Sequence, residues 1–187
     1  YNTNRIKAWL NGLPLTGSDG ISSVEDLDFQ SLGRIEVIKG PSSALYGSGL
    51  GGSISLHTPR FSKDTMKVTT RLGSFGTGNL HLSGNLHRGN TEWWSCVSHL
   101  RTAGYRENSR YWRTNLLTTA RQTGKRWSAD ATFLVTTLKG EIPSSLGKSM
   151  FDDNPQAAAP NWKAINGYQQ TTSALAGLSL STLLSQK

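Results

Sequence analysis

One cysteine, Cys96, in 187 residues leaves no internal disulfide and no cysteine-built zinc centre to consider. The four histidines do not replace it. His81 and His87 lie on one face of a period-two segment, but six residues at about 3.4 Å each puts them roughly 20 Å apart, too far to chelate one ion without other partners. No apolar run approaches the ~18 residues that a membrane-crossing helix needs. Neither a G-x-S-x-G elbow nor an H-E-x-x-H pair occurs, and no His-Asp-Ser order stands out, so the sequence gives no footing for an enzyme and calls for no metal or cofactor. There is no secretion signal, and the chain opens at Tyr1 without a methionine, which leads us to expect an internal piece of a longer protein. Charge is scarce at 17% of residues and unequal in sign, with 20 basic against 12 acidic side chains. A net +8 suits nucleic acid, lipopolysaccharide phosphates or an anionic ligand and does not choose among them.

What is abundant is glycine, with 20 residues, together with Ser, Thr and Asn, and the apolar residues are rarely adjacent. That composition favours an all-β chain. Up to about Lys63 the pattern is irregular. "RIKAWLNGLPL" reads as a strand over Ile6 to Leu10 broken at Asn11-Gly12. "SSVEDLDFQSL" reads as a two-turn helix with Ser23 as N-cap and Val24, Leu27 and Leu32 on one side. "RIEVIKG" alternates as a strand, and Pro41 to Gly47 has the proline-first, glycine-last form of a short helix. Gly47, Gly49 and Gly52 have the G-x-G-x-x-G spacing of a dinucleotide loop, which requires a strand before the glycines and a helix after them. Here the order is reversed, since "SISLHT" is a strand, so the glycines are assigned to backbone turning and close packing.

After Met66 the rhythm changes to long alternating segments. Strands are expected at "MKVTTRLG", "NLHLSGNLH", "EWWSCVSHLRTA", "RTNLLTTARQ", "RWSADATFLVTTL" and "QQTTSALAGLSLSTLL". Trp127, Ala129, Ala131, Phe133 and Val135 point one way while Ser128, Asp130, Thr132 and Thr136 point the other. In a soluble sandwich this separates core from water; in an outer-membrane barrel it separates lipid from a polar lumen. Connections at 88–91 and 123–125 are short and those at 104–112 and 139–168 are long, which is the barrel habit. Trp93, Trp94 and Trp127, near the short-turn ends, are expected in an interfacial aromatic girdle. In the longest connection Pro155 can start a helix that Pro160 interrupts, which allows a lid.

"RIEVIKGPSSALYGSGLGGSISLHTPR" closely resembles the end of the plug domain of TonB-dependent outer-membrane receptors, and "WLNGLPL" resembles an earlier plug segment. "GSFGTGN", "HLRTAGYRENSRYWRTNLL" and "IPSSLGKSMFDDNPQAAAPNWKAINGY" resemble the first barrel strands and loops of that family. The resemblance implies a strand-dominated chain, with the C-terminal part of a mixed α/β plug over 1–63. The first six or so antiparallel strands of a transmembrane barrel of about 22 then fill 64–187. It further implies a receptor in the outer membrane of a Gram-negative bacterium, in contact with lipid and lipopolysaccharide and not with nucleic acid. Such a receptor is energised by the TonB complex through a segment absent from this chain. "IKGPSSALYG" looks like the branch that handles ferric chelates, haem or cobalamin. The expected ligand is a ferric siderophore or related iron chelate, with haem, cobalamin or a ligand-sensing role as alternatives. Six strands alone would leave two open edges, so residues 1–187 by themselves are expected not to form a stable monomer.

The same resemblance supplies candidate residues. An apical plug loop corresponds to the segment after "NGLPL", making Thr16, Ser18 and Asp19 candidate ligand contacts; the plain alternative is a solvated turn. Arg34 and Lys39 stand where a plug-barrel lock is implied, with Lys39 replacing the more usual arginine, losing its bidentate fork, and seeking partners beyond residue 187. Arg101, Tyr105, Arg106 and Arg110, with Arg113, Tyr111 and Trp112 interleaved, have the chemistry to hold an anionic iron chelate. They equally suit lipopolysaccharide phosphates and an aromatic girdle.

Overall fold

In a computed structural model, which describes residues 6–17, 20–40 and 51–184, the chain builds two sheets joined by the connection at 58–64. The smaller contains β1 (Ile6–Leu10), β2 (Leu13–Pro14), β3 (Arg34–Lys39) and β4 (Gly52–His57) in the order β2-β1-β4-β3. Strand β1 runs parallel to β4, while the β1/β2 and β3/β4 pairs are antiparallel. The expected turn closes β1 onto β2 with Asn11 and Gly12 at φ of 50° and 84°, a conformation these two residue types tolerate. At Gly52 a side chain has no room unless the backbone shifts: φ is 129°, and a Cβ there would stand 2.2 Å from the Ile38 carbonyl oxygen. The Pro41–Gly47 helix, with Gly47 and Gly49, falls outside the described residues.

The helix expected after Ser23 does not form. Two separate 3-10 turns, Val24–Asp26 and Phe29–Ser31, take its place, and Ser23 makes no capping bond. Ser22 is tied back to the Thr16 hydroxyl and the Ile6 carbonyl, and Leu27 is extended so that its side chain enters the core. The cap belongs instead to Asp28, whose carboxylate accepts the Gln30 N–H at 3.1 Å.

The larger sheet is a meander of β5 (Thr65–Gly73), β6 (Thr77–Arg88), β7 (Thr91–Thr102), β8 (Tyr111–Thr123), β9 (Trp127–Glu141) and β10 (Tyr168–Thr182), each antiparallel to the next. All six strands read from the alternation are present, several extended by a few residues. Connections at 89–90 and 124–126 lie at one end; those at 74–76, 103–110 and 142–167 lie at the other. Strands β5 and β10 have no outer neighbour among the described residues.

Register gives the sheet its character. Val68, Leu82, Val97, Leu116, Val135 and Ala174 lie opposite one another across all six strands in a single apolar row. One residue along, on the other face, Thr69, His81, Ser98, Asn115, Thr136 and Ser173 form a single polar row. The apolar row is the exposed one, with Val68 57% and Val97 44% accessible, whereas His81 and Asn115 are 3% and 2% accessible. Leu80, Leu82 and Phe133 also face outward rather than sharing a dry centre. A sheet in water has this arrangement the other way round, because each Å² of exposed apolar surface costs ~25 cal/mol.

The smaller sheet packs on the polar-row face. A core of Leu10, Leu27, Leu56, Trp94, Cys96, Leu117 and Leu134 lies between the two sheets. Trp94 therefore does not join the girdle assigned to it: its register parity turns it inward, where it is 2% exposed, while Trp93 and Trp127 face outward as expected. No helix among the described residues is long and apolar enough to cross a membrane, which has no bearing on crossing by strands.

Candidate functional site

The segment 25–31 docks side-on against the inner face of β6–β9, and it does so through polar atoms. Asp28 and His81 are both buried, with Oδ2 and Nδ1 2.8 Å apart. Burial alone pushes the Asp28 carboxyl up, but hydrogen bonds from His81, the Gln30 N–H and Ser98, together with the His81 charge, outweigh it and hold the group below its ordinary value. Beside this pair, Asn115 donates to the Asp26 carbonyl at 2.9 Å and to Thr136 Oγ1 at 2.7 Å. Arg113 donates to the Glu25 carbonyl at 2.6 Å, and Gln30 donates to Asn79 at 2.9 Å. Nearer the short-turn end Asn11 donates to Thr132 and Thr58 and accepts the Thr58 N–H. The polar row is thus the receiving surface for one side of the smaller unit. Such a seam can exchange partners with water when it opens, which a purely apolar contact cannot do.

Above the seam, at the long-connection end, the two long connections are built into a single ledge. The second contains α1 (Lys148–Asp153) and α2 (Pro160–Ala164), the latter starting at Pro160 itself. Proline is favoured there, since a first helical position has no intrahelical N–H to lose. Arg106 donates from Nε and Nη2 to the Ala157 carbonyl and from Nη1 to the Ser144 carbonyl. Asn108 donates to the carbonyls of Ile142 and Gly167, and Glu107 pairs with Lys163 at 2.9 Å.

The residues singled out in the sequence are scattered across these surfaces. Thr16 bridges to Ser22 and lines a cavity of about 340 Å³ with Leu15, Gly17 and Ile21 on one side and Leu134, Thr136, Thr171 and Leu175 on the other. Ser18 and Asp19 lie outside the described residues. Arg101 is on the outward face, in register with Trp112 and, beyond it, Lys139. Tyr105 is half exposed and meets Phe75 edge-on at 5.4 Å. Arg110 is exposed and pairs with Glu141 at 2.7 Å, while Arg106 is engaged by main-chain carbonyls. Arg34 pairs with Glu36 of its own strand at 3.0 Å, and Lys39 is exposed on β3. The reading of the sequence missed Asp28, His81 and Asn115. A lone aspartate in a loop and a lone histidine in a strand carry no signal until register and docking bring them together.

Residues 1–54 match the family described as TonB-dependent Receptor Plug Domain. Over 59 residues the chain is 42% identical to the ferrioxamine receptor of Yersinia enterocolitica, a stretch covering 30% of this chain and 8% of that protein. In fold it is similar to the ferric citrate transporter FecA in its unliganded form, with a TM-score of 0.79 at 14% identity over 97% of this chain and 29% of that one. It is also similar to the ferric-catecholate import receptor Fiu of E. coli K12 in an open form, with a TM-score of 0.71 at 19% identity over 98% of this chain and 30% of that one. The chain thus spans less than a third of the proteins it matches.

Proposed function

We propose that this chain, a plug-and-barrel portion of a TonB-dependent receptor, serves the import of a ferric siderophore or related iron chelate across the outer membrane of a Gram-negative bacterium. Residues 1–63 are the plug part and 64–187 the wall part. The observation that carries the reading is the inverted sheet: an unbroken apolar row outward, an unbroken polar row inward, and the plug seated on the polar one. Hydrocarbon outside and a wet lumen inside satisfy both rows at once.

The path of the ligand follows from the two ends. A chelate arriving at the long-connection end meets the ledge, where Tyr105 and Arg110 offer an exposed ring and guanidinium. It also meets the Thr16 cavity, which lies between plug and wall. Displacement of the plug by the TonB complex then breaks hydrogen bonds along the seam, each of which water can replace. Arg101 faces away from this path; in register with Trp112 and Lys139 it suits phosphates of lipid or lipopolysaccharide instead. Arg34, paired with Glu36, and Lys39 both lie exposed on β3, where they can meet wall strands other than the six described here. The reading includes no catalytic step and no resident metal or cofactor.

Uptake of radiolabelled ferric citrate and of a ferric hydroxamate, by cells lacking their own receptors and supplied with the full-length protein, tests the proposal. Uptake of at least one iron chelate that disappears when TonB is deleted is expected. Equal uptake with and without TonB rules out energised transport.

A further inference from the structure

The ledge over the lumen raises the question of what keeps its two long connections together, since neither 103–110 nor 142–167 belongs to the strand ladder. Arg106 occupies the centre. Three of its N–H donors end on main-chain carbonyls of the other connection: Nε at 3.0 Å and Nη2 at 2.8 Å from Ala157, and Nη1 at 2.7 Å from Ser144. Its own backbone is fixed in turn by Ser109, whose hydroxyl bonds the Arg106 carbonyl and accepts the Arg106 N–H. The carbonyls it reaches lie on opposite sides of α1 in 142–167, with Ser144 held at φ 57° and Ala157 just before the buried Ala158 and Ala159. Flanking residues repeat the crossing: Glu107 N–H to the Gln156 carbonyl, Glu107 carboxylate to the Ala158 N–H and Lys163, and Asn108 to Ile142 and Gly167.

We infer that Arg106 is a positioning residue that clamps the two long connections into one preassembled ledge, and that it does not itself touch the transported ligand. A guanidinium can serve both carbonyls because its donors diverge in one plane; a lysine ammonium on a flexible stem cannot reproduce that fork. A ledge ordered before the ligand arrives spares binding the cost of ordering a connection of this length. The consequence for ligand binding rests on the import reading, whereas the clamp itself does not.

The test uses the full-length protein in detergent. Amide hydrogen exchange in 142–167 is expected to rise about tenfold or more in Arg106→Ala, the factor that goes with losing a charge-assisted bond, with strands β6 to β9 unchanged. Arg106→Lys is expected to behave like Arg106→Ala. Unchanged exchange in 142–167 overturns the clamp. Binding is then measured with two probes, a negatively charged ferric citrate and a ferric hydroxamate without net negative charge. Both should weaken in the same proportion in Arg106→Ala, and a disulfide between Glu107→Cys and Gln156→Cys in that background should restore both and lose the effect on reduction. Selective loss of the anionic probe, or no rescue by the disulfide, makes Arg106 a ligand contact and overturns the inference. If the wild type binds neither probe, it is the choice of ligand that fails, and the exchange result still decides the clamp.

Discussion

Nδ1 of His81, on the second strand of the large sheet, stands 2.8 Å from Oδ2 of Asp28, on the loop that follows the first 3-10 turn of the small unit, and both side chains are almost wholly shielded from solvent. Fifty-three residues separate them in sequence. Because Asp28 also caps the turn Phe29–Ser31, this one carboxylate fixes local backbone and docks it on the large sheet at once. Replacing His81 by Leu leaves the carboxylate buried with fewer donors, at a cost of about 1–3 kcal/mol or somewhat more for a charged group. The expected outcome is faster proteolysis within 20–40 of the full-length protein, whereas His81→Gln, which keeps a donor, should show a smaller increase. Equal proteolysis in wild type and His81→Leu would remove the pair from any docking role.

Acid should loosen this contact in a defined direction. The folded Asp28 carboxyl sits below its ordinary value, so the unfolded or undocked chain takes up its proton first as pH falls. The stabilisation is therefore complete above the ordinary carboxylate value, declines as pH drops through that value, and is gone once pH passes the depressed folded value. Protease accessibility of 20–40, followed from pH 7 downward, should stay flat at first and then rise in wild type. Asp28→Asn should start higher and lose the part of the rise that Asp28 contributes. A wild-type curve with the same acid dependence as Asp28→Asn would contradict the assignment.

Two glycines with similar backbone signs should respond very differently to alanine. Gly12 has φ 84° and nothing within 4 Å of the place a methyl would take, whereas a methyl at Gly52 meets the Ile38 carbonyl at 2.2 Å. Gly12→Ala carries only backbone strain, about 1 kcal/mol. Gly52→Ala adds a clash against main chain that side-chain rotation cannot relieve and should cost on the order of 3 kcal/mol or more. Yield of correctly assembled protein in the outer membrane, with melting temperature in detergent, separates the two; equal behaviour would mean that β3 and β4 can move apart freely.

Much of this fold is legible in the sequence, and the reason is periodicity. Six strands announce themselves because Leu80, Leu82 and Leu86, or Phe133 and Val135, recur at every second position, and the tight turns at Gly89-Asn90 and 124–126 separate them. Alternation does not say which side faces solvent, and for Trp94 adjacency to Trp93 concealed that the two must lie on opposite faces. The two 3-10 turns were hidden because Val24, Leu27 and Leu32 have helical spacing, while the contacts that break the helix, Ser22 to Ile6 and Leu27 into the core, are tertiary. For the candidate site, exposure of Tyr105 and Arg110 agrees with their residue types, but the fate of Arg106 depended on carbonyls about forty to fifty residues away that no side-chain pattern encodes.

Leu116 and Leu117 are neighbours in β8 with accessibilities of 38% and 1%. Arginine at Leu117 is destabilising in any environment, because it drives a charge into the core shared with Trp94 and Leu134. Arginine at Leu116 discriminates between environments. On a face bathed in water a partly exposed leucine can become arginine within about 0.5 kcal/mol. If the apolar row lies in hydrocarbon, with Leu116 between Val97 and Val135, the same change costs ~2–4 kcal/mol near the midplane and less toward either interface. A graded series follows from register: Leu116→Arg should impair assembly most, and Trp112→Arg, at the long-connection end of the same face, should be nearly tolerated. Assembly is measured as the heat-modifiable folded fraction recovered from outer membranes. A folded fraction that is the same for Leu116→Arg and Trp112→Arg would show no depth dependence and would place water, not lipid, against that face.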